Sequence, residues 1–281
     1  MTYETIDVQP IAGALGAEIL GIDLSREMDN RTFDELHRAY AAFGVIFFRD
    51  QDLTPEQHIA FARRWGKIDV NRYFPHVDGY PEIAEVTKKP GEKVNIGGRW
   101  HTDHTYDKAP AMGSILYARE MPDYGGDTMF ASMYAAFEAL SPGMQRLTES
   151  LTAVHSAADV FGPQASYGGN QFTSKFSQSE TADAEVEHPV VITHPLSGRK
   201  ALFVNRSFTK RFKDMTEAES APLLEQLYTH AAQPEFTCRF RWRVGSIAFW
   251  DNRATHHFAV NDYTGGNRRM HRITVAGVPL S

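Results

Sequence analysis

The stretch Arg99-Trp100-His101-Thr102-Asp103-His104-Thr105-Tyr106 sets an imidazole and a carboxylate two positions apart. If it is extended, alternate side chains share a face, so His101 and Asp103 can grip one ion together. A third ligand must come from elsewhere in the chain. The best source is Trp250-Asp251-Asn252-Arg253-Ala254-Thr255-His256-His257, where His256 and His257 compete, because neighbours on one strand face opposite ways. Two imidazoles and a carboxylate on one side of a metal leave the other side open, the arrangement of non-haem Fe(II) oxygenases. A His-x-Asp pair alone also fits a polar strand whose side chains only hydrogen-bond to neighbours.

Downstream, Asn261-Asp262-Tyr263-Thr264-Gly265-Gly266-Asn267 is rich in turn formers, and Arg268-Arg269-Met270-His271-Arg272-Ile273-Thr274-Val275 follows. This pattern predicts a hairpin whose return strand lies beside the one carrying His257. Arg268 and Arg272, four apart, then share a face. Two guanidinium groups aimed at a metal pocket suit anionic groups, which arginine grips through paired hydrogen bonds. On spacing alone they also fit a solvated surface pair.

Taken together, the ordered blocks resemble the taurine dioxygenase (TauD/TfdA) family of Fe(II)- and 2-oxoglutarate-dependent dioxygenases. They run from Gly16-Ala17-Glu18-Ile19-Leu20-Gly21-Ile22-Asp23-Leu24 through Trp100-His101-Thr102-Asp103 and Gly125-Gly126-Asp127-Thr128. Thr193-His194-Pro195, Leu202-Phe203-Val204-Asn205, Trp250-Asp251-Asn252-Arg253 and Met270-His271-Arg272 complete the series. The resemblance implies a mainly β fold with flanking helices, a double-stranded β-helix of the jelly-roll, cupin-like kind. It selects His257 over His256 and assigns His101, Asp103 and His257 to Fe(II). Thr128 and Arg268 would hold the distal carboxylate of 2-oxoglutarate, while Arg272 would meet the acidic group of the primary substrate and touch the C1 end of the co-substrate. Dioxygen is then consumed, and succinate and carbon dioxide leave as a small anionic organic substrate is hydroxylated, with cleavage where the carbon bears a heteroatom. Carboxylates, phenoxy acids, sulfonates and sulfate esters are the substrates implied. Retention of Asp103 argues against halogenation, because halogenating relatives vacate that ligand.

The substrate pocket is expected from the irregular stretch 69–99, including Asn71, Phe74 and Asn95, and from Phe208. By resemblance a substrate-contacting histidine of taurine oxygenases falls on Asn71, a tyrosine on Phe74 and an asparagine on Gly97. These departures point away from taurine itself. A zinc hydrolase on the same ligands is the alternative, since zinc also activates water, but it leaves Thr128 and Arg268 without a role. A metal-free sandwich that binds an anionic metabolite is a third reading.

Composition frames these readings. With 281 residues, no linker or repeat, and Cys238 as the only cysteine, one domain over 1–281 without an internal disulfide is expected. The first residues lack a secretion signal, and no uncharged apolar run approaches ~20 residues, so a cytoplasmic protein is expected. A formal net charge of −6 with scattered basic residues excludes a nucleic-acid face. A homo-oligomer, dimer or tetramer, is expected.

Stepping along the chain, a strand over 17–22 precedes a helix from Asp29-Asn30 to Gly44, and Val45-Ile46-Phe47-Phe48 reads as a strand. Thr54-Pro55-Glu56-Gln57 carries a capping box for a helix ending near Gly66, and Thr216 to Glu219 repeats the box for a helix reaching Ala231. Strands are expected over 111–120, from Thr128, over 189–192, 201–204, 236–243 and from Ile247. Ser141-Pro142 starts a further helix. The segment 156–187 is polar with little to bury, and is expected to act as a lid.

Overall fold

Val45–Phe48 is apolar at every position because both of its faces are covered. Val45 and Phe47 point into the space between two sheets, where they meet Phe130, Phe240 and Trp250. Ile46 and Phe48 point outward, against Leu36, Tyr40 and Phe61 of two helices. Ile247–Asp251 is built alike, with Ala248 and Trp250 inward and Ile247 and Phe249 outward. The side-chain period of two thus separates an inner layer from a helix-covered outer one. Burying each of these aromatic side chains stabilises the fold by roughly 1.5–3 kcal/mol.

The computed structural model describes residues 2–163, 165, 175–177 and 179–280. Its major sheet runs Asp7–Pro10, Ala17–Leu20, Val45–Phe48, Ile247–Asp251, Gly113–Glu120, Arg268–Val275, Tyr80–Lys88, His76–Val77, with Ile68–Asp69 also pairing to Arg268–Val275. Facing it is a sheet of three strands in the order Thr237–Phe240, Thr128–Ser132, Thr255–Ala259. Among the described residues every strand pairing is antiparallel except Ala17–Leu20 with Val45–Phe48. This is the double-stranded β-helix expected, a jelly roll with helices outside.

The helices follow their caps. Asn30–Phe43 starts where the Asp29 carboxylate accepts the Thr32 amide and stops at Gly44, whose φ of 69° is the left-handed conformation a helix end needs. Pro55–Trp65 and Glu217–Ala231 both open with complete capping boxes, at Thr54 with Gln57 and at Thr216 with Glu219.

Four expectations are corrected. Residues 99–106 are not a strand: His101 forms a single bridge to His257, and 103–106 turn. The stretch 69–99 is not wholly irregular, since Tyr80–Lys88 is a nine-residue strand paired along Arg268–Val275. The predicted hairpin is absent. Thr255–Ala259 pairs with Thr128–Ser132 in the minor sheet, whereas Arg268–Val275 lies between Tyr80–Lys88 and Gly113–Glu120 in the major one. The turn-rich segment 260–267 therefore crosses between sheets, so the arginines face His257 across the barrel and not along one ladder. Within 156–187, Ala158–Phe161 is a short helix and Val160, Phe161 and Phe176 are buried, so the segment does have something to bury. Its residues 164, 166–174 and 178 lie outside the described residues.

Candidate metal centre and active site

Backbone pairing brings the two ligand segments together. His101 N donates to His257 O at 3.1 Å and His257 N to His101 O at 2.7 Å, which sets the two rings 4.0 Å apart at their centroids. Thr102 Oγ1 donates to Asn252 O at 2.6 Å and pins the start of the turn that presents Asp103. On the other side, His257 lies opposite Phe130 in the minor sheet, so both point inward while His256 points away. His256 instead sits buried near Trp100, Arg206 and Tyr228, outside the ligand group.

The resulting donor set fits a metal ion. Ligand atoms of His101, Asp103 and His257 all lie within 4.8 Å of one another. His101 Nε2 is 3.7 Å from Asp103 Oδ1, and His257 Nε2 is 3.9 Å from Asp103 Oδ2, too far for hydrogen bonds and suited to a shared ion. His101 Nδ1 must be its protonated nitrogen, since it lies 2.7 Å from the carbonyl of Arg99, and Nε2 is left with a free lone pair. Asp103 Oδ2 accepts from Ser114 Oγ at 3.3 Å and from Arg272 Nη1 at 3.2 Å, which leaves Oδ1 for the ion. Burial opposes the Asp103 charge, but the adjacent Arg272 guanidinium, foremost of the groups that favour the carboxylate, helps hold the carboxyl well below its usual range. Burial likewise pushes His257 well below the usual imidazole value, so it is the neutral ligand form.

Behind this centre the turn 252–254 between sheets is held by a buried network. Arg253 donates to both oxygens of Asp251, at 2.9 and 2.7 Å, and His194 Nε2 meets Asp251 Oδ2 at 2.9 Å. Asn205 accepts from Ser207 N and Phe208 N and donates to Thr105 Oγ1 at 3.1 Å, tying the Phe208 loop to the Asp103 turn.

Register decides where the anion-binding candidates stand. Arg268, Met270 and Arg272 alternate onto the inner face of their strand, and Arg272 lies opposite Leu116. From the minor sheet Thr128 faces the same space, opposite Ala259. Arg268, Arg272, Thr128, Phe74 and Phe208 all line the pocket with the metal ligands. Arg268 is buried and its Nε finds no partner among the described residues; burial lowers its guanidinium pKa. A buried cation with no ion-pair partner is costly, and an anion in the pocket would relieve that cost.

Two expected substrate contacts stand elsewhere. Asn71 does not line the pocket: its Oδ1 accepts from Tyr73 N at 2.9 Å and Phe74 N at 3.0 Å, shaping the turn that delivers Phe74. Asn95 lies behind the wall, donating to Val260 O at 2.9 Å. The sequence reading missed Ser114, Tyr106, Val160, Phe161 and Phe176. Of these, only Phe161 and Phe176 gave a signal, as bulky aromatics inside a polar segment. A second close group, Asp69, His104 and Asp107, is already paired internally, with Asp107 bonded to His104 at 2.8 Å and to Arg72 at 2.7 Å.

The chain is similar to known proteins along nearly its whole length. The family model for Taurine catabolism dioxygenase TauD, TfdA family matches residues 7–274. The alpha-ketoglutarate-dependent sulfate ester dioxygenase of Pseudomonas putida is 37% identical, over 98% of this chain and 91% of its own length. The alkylsulfatase of Acinetobacter baylyi (strain ATCC 33305 / BD413 / ADP1) is 36% identical, over 98% of this chain and 86% of its own. The crystal structure of AAD-2 in complex with Mn(II) and N-oxalylglycine matches with a TM-score of 0.80 at 30% identity, over 98% of each chain. Since both the family match and these likenesses extend across nearly all of the sequence, the chain belongs to the taurine catabolism dioxygenase TauD, TfdA family.

Proposed function

We propose that this Fe(II)- and 2-oxoglutarate-dependent dioxygenase hydroxylates a small organic anion with an apolar body, foremost a sulfate ester, then a sulfonate, carboxylate or phenoxy acid. The observation that carries the reading is the convergence of His101, Asp103 and His257 in a pocket that also holds Arg268 and Arg272. When bound, Fe(II) supplies the redox chemistry that couples oxidative decarboxylation of 2-oxoglutarate, giving succinate and carbon dioxide, to hydroxylation of a C–H bond. Arg268 and Thr128 bind the distal carboxylate of the co-substrate. Arg272 keeps one N–H on Asp103, and its remaining donors meet the acidic head of the substrate and the C1 end of 2-oxoglutarate. Phe74 lies under that guanidinium, 4.7 Å from ring centroid to Cζ, and fixes its plane.

The body of the substrate meets Phe74, Val86, Tyr106, Phe161, Phe176 and Phe208, which exclude water around the reacting bond. Among the described lining residues Asp103 is the only carboxylate, and it is already engaged. An ammonium such as that of taurine would be buried there without a partner. Where the hydroxylated carbon bears the ester oxygen, the product R–CH(OH)–O–SO3⁻ collapses to an aldehyde and hydrogensulfate. The alternative of a zinc hydrolase leaves the buried Arg268 with no anion to bind.

In this reading residues 1–281 act as one catalytic domain, with 156–187 as a lid; in support, its described residues Val160, Phe161 and Phe176 line the pocket. The enzyme works in the cytoplasm as a homodimer or homotetramer, an assembly that light scattering on the eluting protein measures. No helix among the described residues is long and apolar enough to cross a membrane. The functional test is a panel of n-alkyl sulfates, aryloxyacetates and taurine, with succinate formation followed in air. Alkyl sulfates should stimulate it over taurine by about tenfold or more; faster turnover with taurine would overturn the assignment of an apolar, cation-free substrate.

A further inference from the structure

Beside the metal ligands the pocket contains two polar groups with no acceptor. Arg268 carries its buried charge without an ion pair among the described residues, and the Thr128 hydroxyl, itself buried, donates to none of them. Both contact the same third residue. Trp242 Nε1 donates to Thr128 Oγ1 at 2.9 Å, and the Cζ of Arg268 lies 6.0 Å from the centroid of the Trp242 ring.

The local fold explains this meeting. Phe240 is the register partner of Thr128 on the neighbouring strand, so Trp242, two residues further on, leaves the ladder just beyond Thr128. The ring is buried, packed edge-on against Phe240 at 4.9 Å, and belongs to the core between the sheets. Its position is therefore set by packing before any ligand arrives. A hydroxyl that accepts from a fixed indole N–H has its oxygen lone pair engaged on that side, and its single proton turns to the other. That other side is the pocket.

We propose that Trp242 is a positioning residue for the 2-oxoglutarate site, an inference that rests on the co-substrate reading above. The indole N–H holds the Thr128 hydroxyl as a donor toward the distal carboxylate, and the ring face lies beside the Arg268 guanidinium that binds the same group. Neither Arg272 nor the metal ligands depend on this contact, so Trp242 acts on one end of one ligand. In the sequence it looks like an ordinary inward aromatic of a half-buried strand.

The test is Trp242→Phe, which keeps an aromatic ring and removes the N–H, compared with Thr128→Val and the double variant. Labelled 2-oxoglutarate is dialysed to equilibrium against each Fe(II)-loaded protein without oxygen, and 2-oxobutyrate, which lacks the distal carboxylate, serves as the second ligand. Trp242→Phe should weaken 2-oxoglutarate about three- to tenfold, leave 2-oxobutyrate unchanged, and add nothing in the Thr128→Val background. Equal weakening of both ligands, an undiminished effect in the Thr128→Val background, or unchanged 2-oxoglutarate affinity would overturn the inference. Should Trp242→Phe fold poorly, Trp242→His and Trp242→Leu take its place: His, whose ring can still donate, should hold 2-oxoglutarate within about threefold of the wild type while Leu weakens it further, and equal losses in the two would overturn the inference. If the wild-type protein binds no 2-oxoglutarate at all, the co-substrate reading itself has failed, which the same dialysis shows separately.

Discussion

Arg268 and Arg272 occupy one inner strand face four residues apart, yet their surroundings differ. Arg272 is paired with Asp103 at 3.2 Å, whereas Arg268 is buried with no salt-bridge partner among the described residues. Removing one partner of a desolvated charge pair costs about 2–5 kcal/mol, and about 1.4 kcal/mol is tenfold in affinity. Arg268→Ala should therefore raise the 2-oxoglutarate requirement more than about tenfold with a smaller effect on the substrate. Arg272→Ala should weaken the substrate and leave slow, uncoupled decarboxylation. Apparent affinities for both ligands in both variants measure this, and equal losses throughout would mean the arginines act as one unit. At this scale the sequence was informative where a residue type has one plausible chemistry. The His-x-Asp pair and the arginine spacing were visible. The choice between His256 and His257 needed the resemblance, because only the pairing of His257 with Phe130 shows which neighbour points inward. Asn71 misled, since the same carboxamide that could touch a ligand here caps a turn.

Elements with local signals were legible, and those that depend on distant pairing were not. Capping boxes at Thr54 and Thr216 marked two helices correctly. By contrast, turn formers over 260–267 suggested a hairpin, although nothing local distinguishes a tight turn from a crossing between facing sheets. That crossing packs on the Gly125-Gly126 turn: Gly126 N donates to Asp262 Oδ1 at 2.8 Å, and Val260 N to Asp127 O at 2.9 Å. Gly126 has φ of 72°, and a Cβ there would come within 3.0 Å of Tyr263 Cε1 and 3.4 Å of Arg268 Cδ. Gly126→Ala should cost about 1–3 kcal/mol of stability, because the left-handed backbone and the crowding both oppose it. By displacing Arg268 it should also raise the 2-oxoglutarate requirement while Fe(II) binding holds. A urea midpoint and a co-substrate titration check both parts; a variant unchanged in each would show that the turn does not seat the arginine.

Across the whole molecule, the buried histidines set how stability responds to acid. His58 and His155 are buried, and burial pushes each imidazole down to about 3, whereas an unfolded chain protonates them near ~6.5. Between those values the unfolded state binds more protons, so stability is full above the unfolded pKa and falls as pH drops through the window. The slope approaches about 1.4 kcal/mol per pH unit for each such histidine. Urea midpoints should be lower at pH 5.0 than at pH 7.5, and His58→Leu should flatten the dependence; identical midpoints in the wild-type protein would contradict the burial argument. The central claim, that His101, Asp103 and His257 carry an oxygen-consuming reaction, is tested most directly by the oxygen dependence of turnover in the wild-type enzyme and in Asp103→Ala. With Fe(II), 2-oxoglutarate and a stimulating alkyl sulfate, the wild type should form succinate and aldehyde in equal amounts in air and neither without oxygen, and Asp103→Ala should form neither in either atmosphere. Alkyl sulfate cleaved by the wild type in the absence of oxygen, or undiminished turnover by Asp103→Ala, would contradict it.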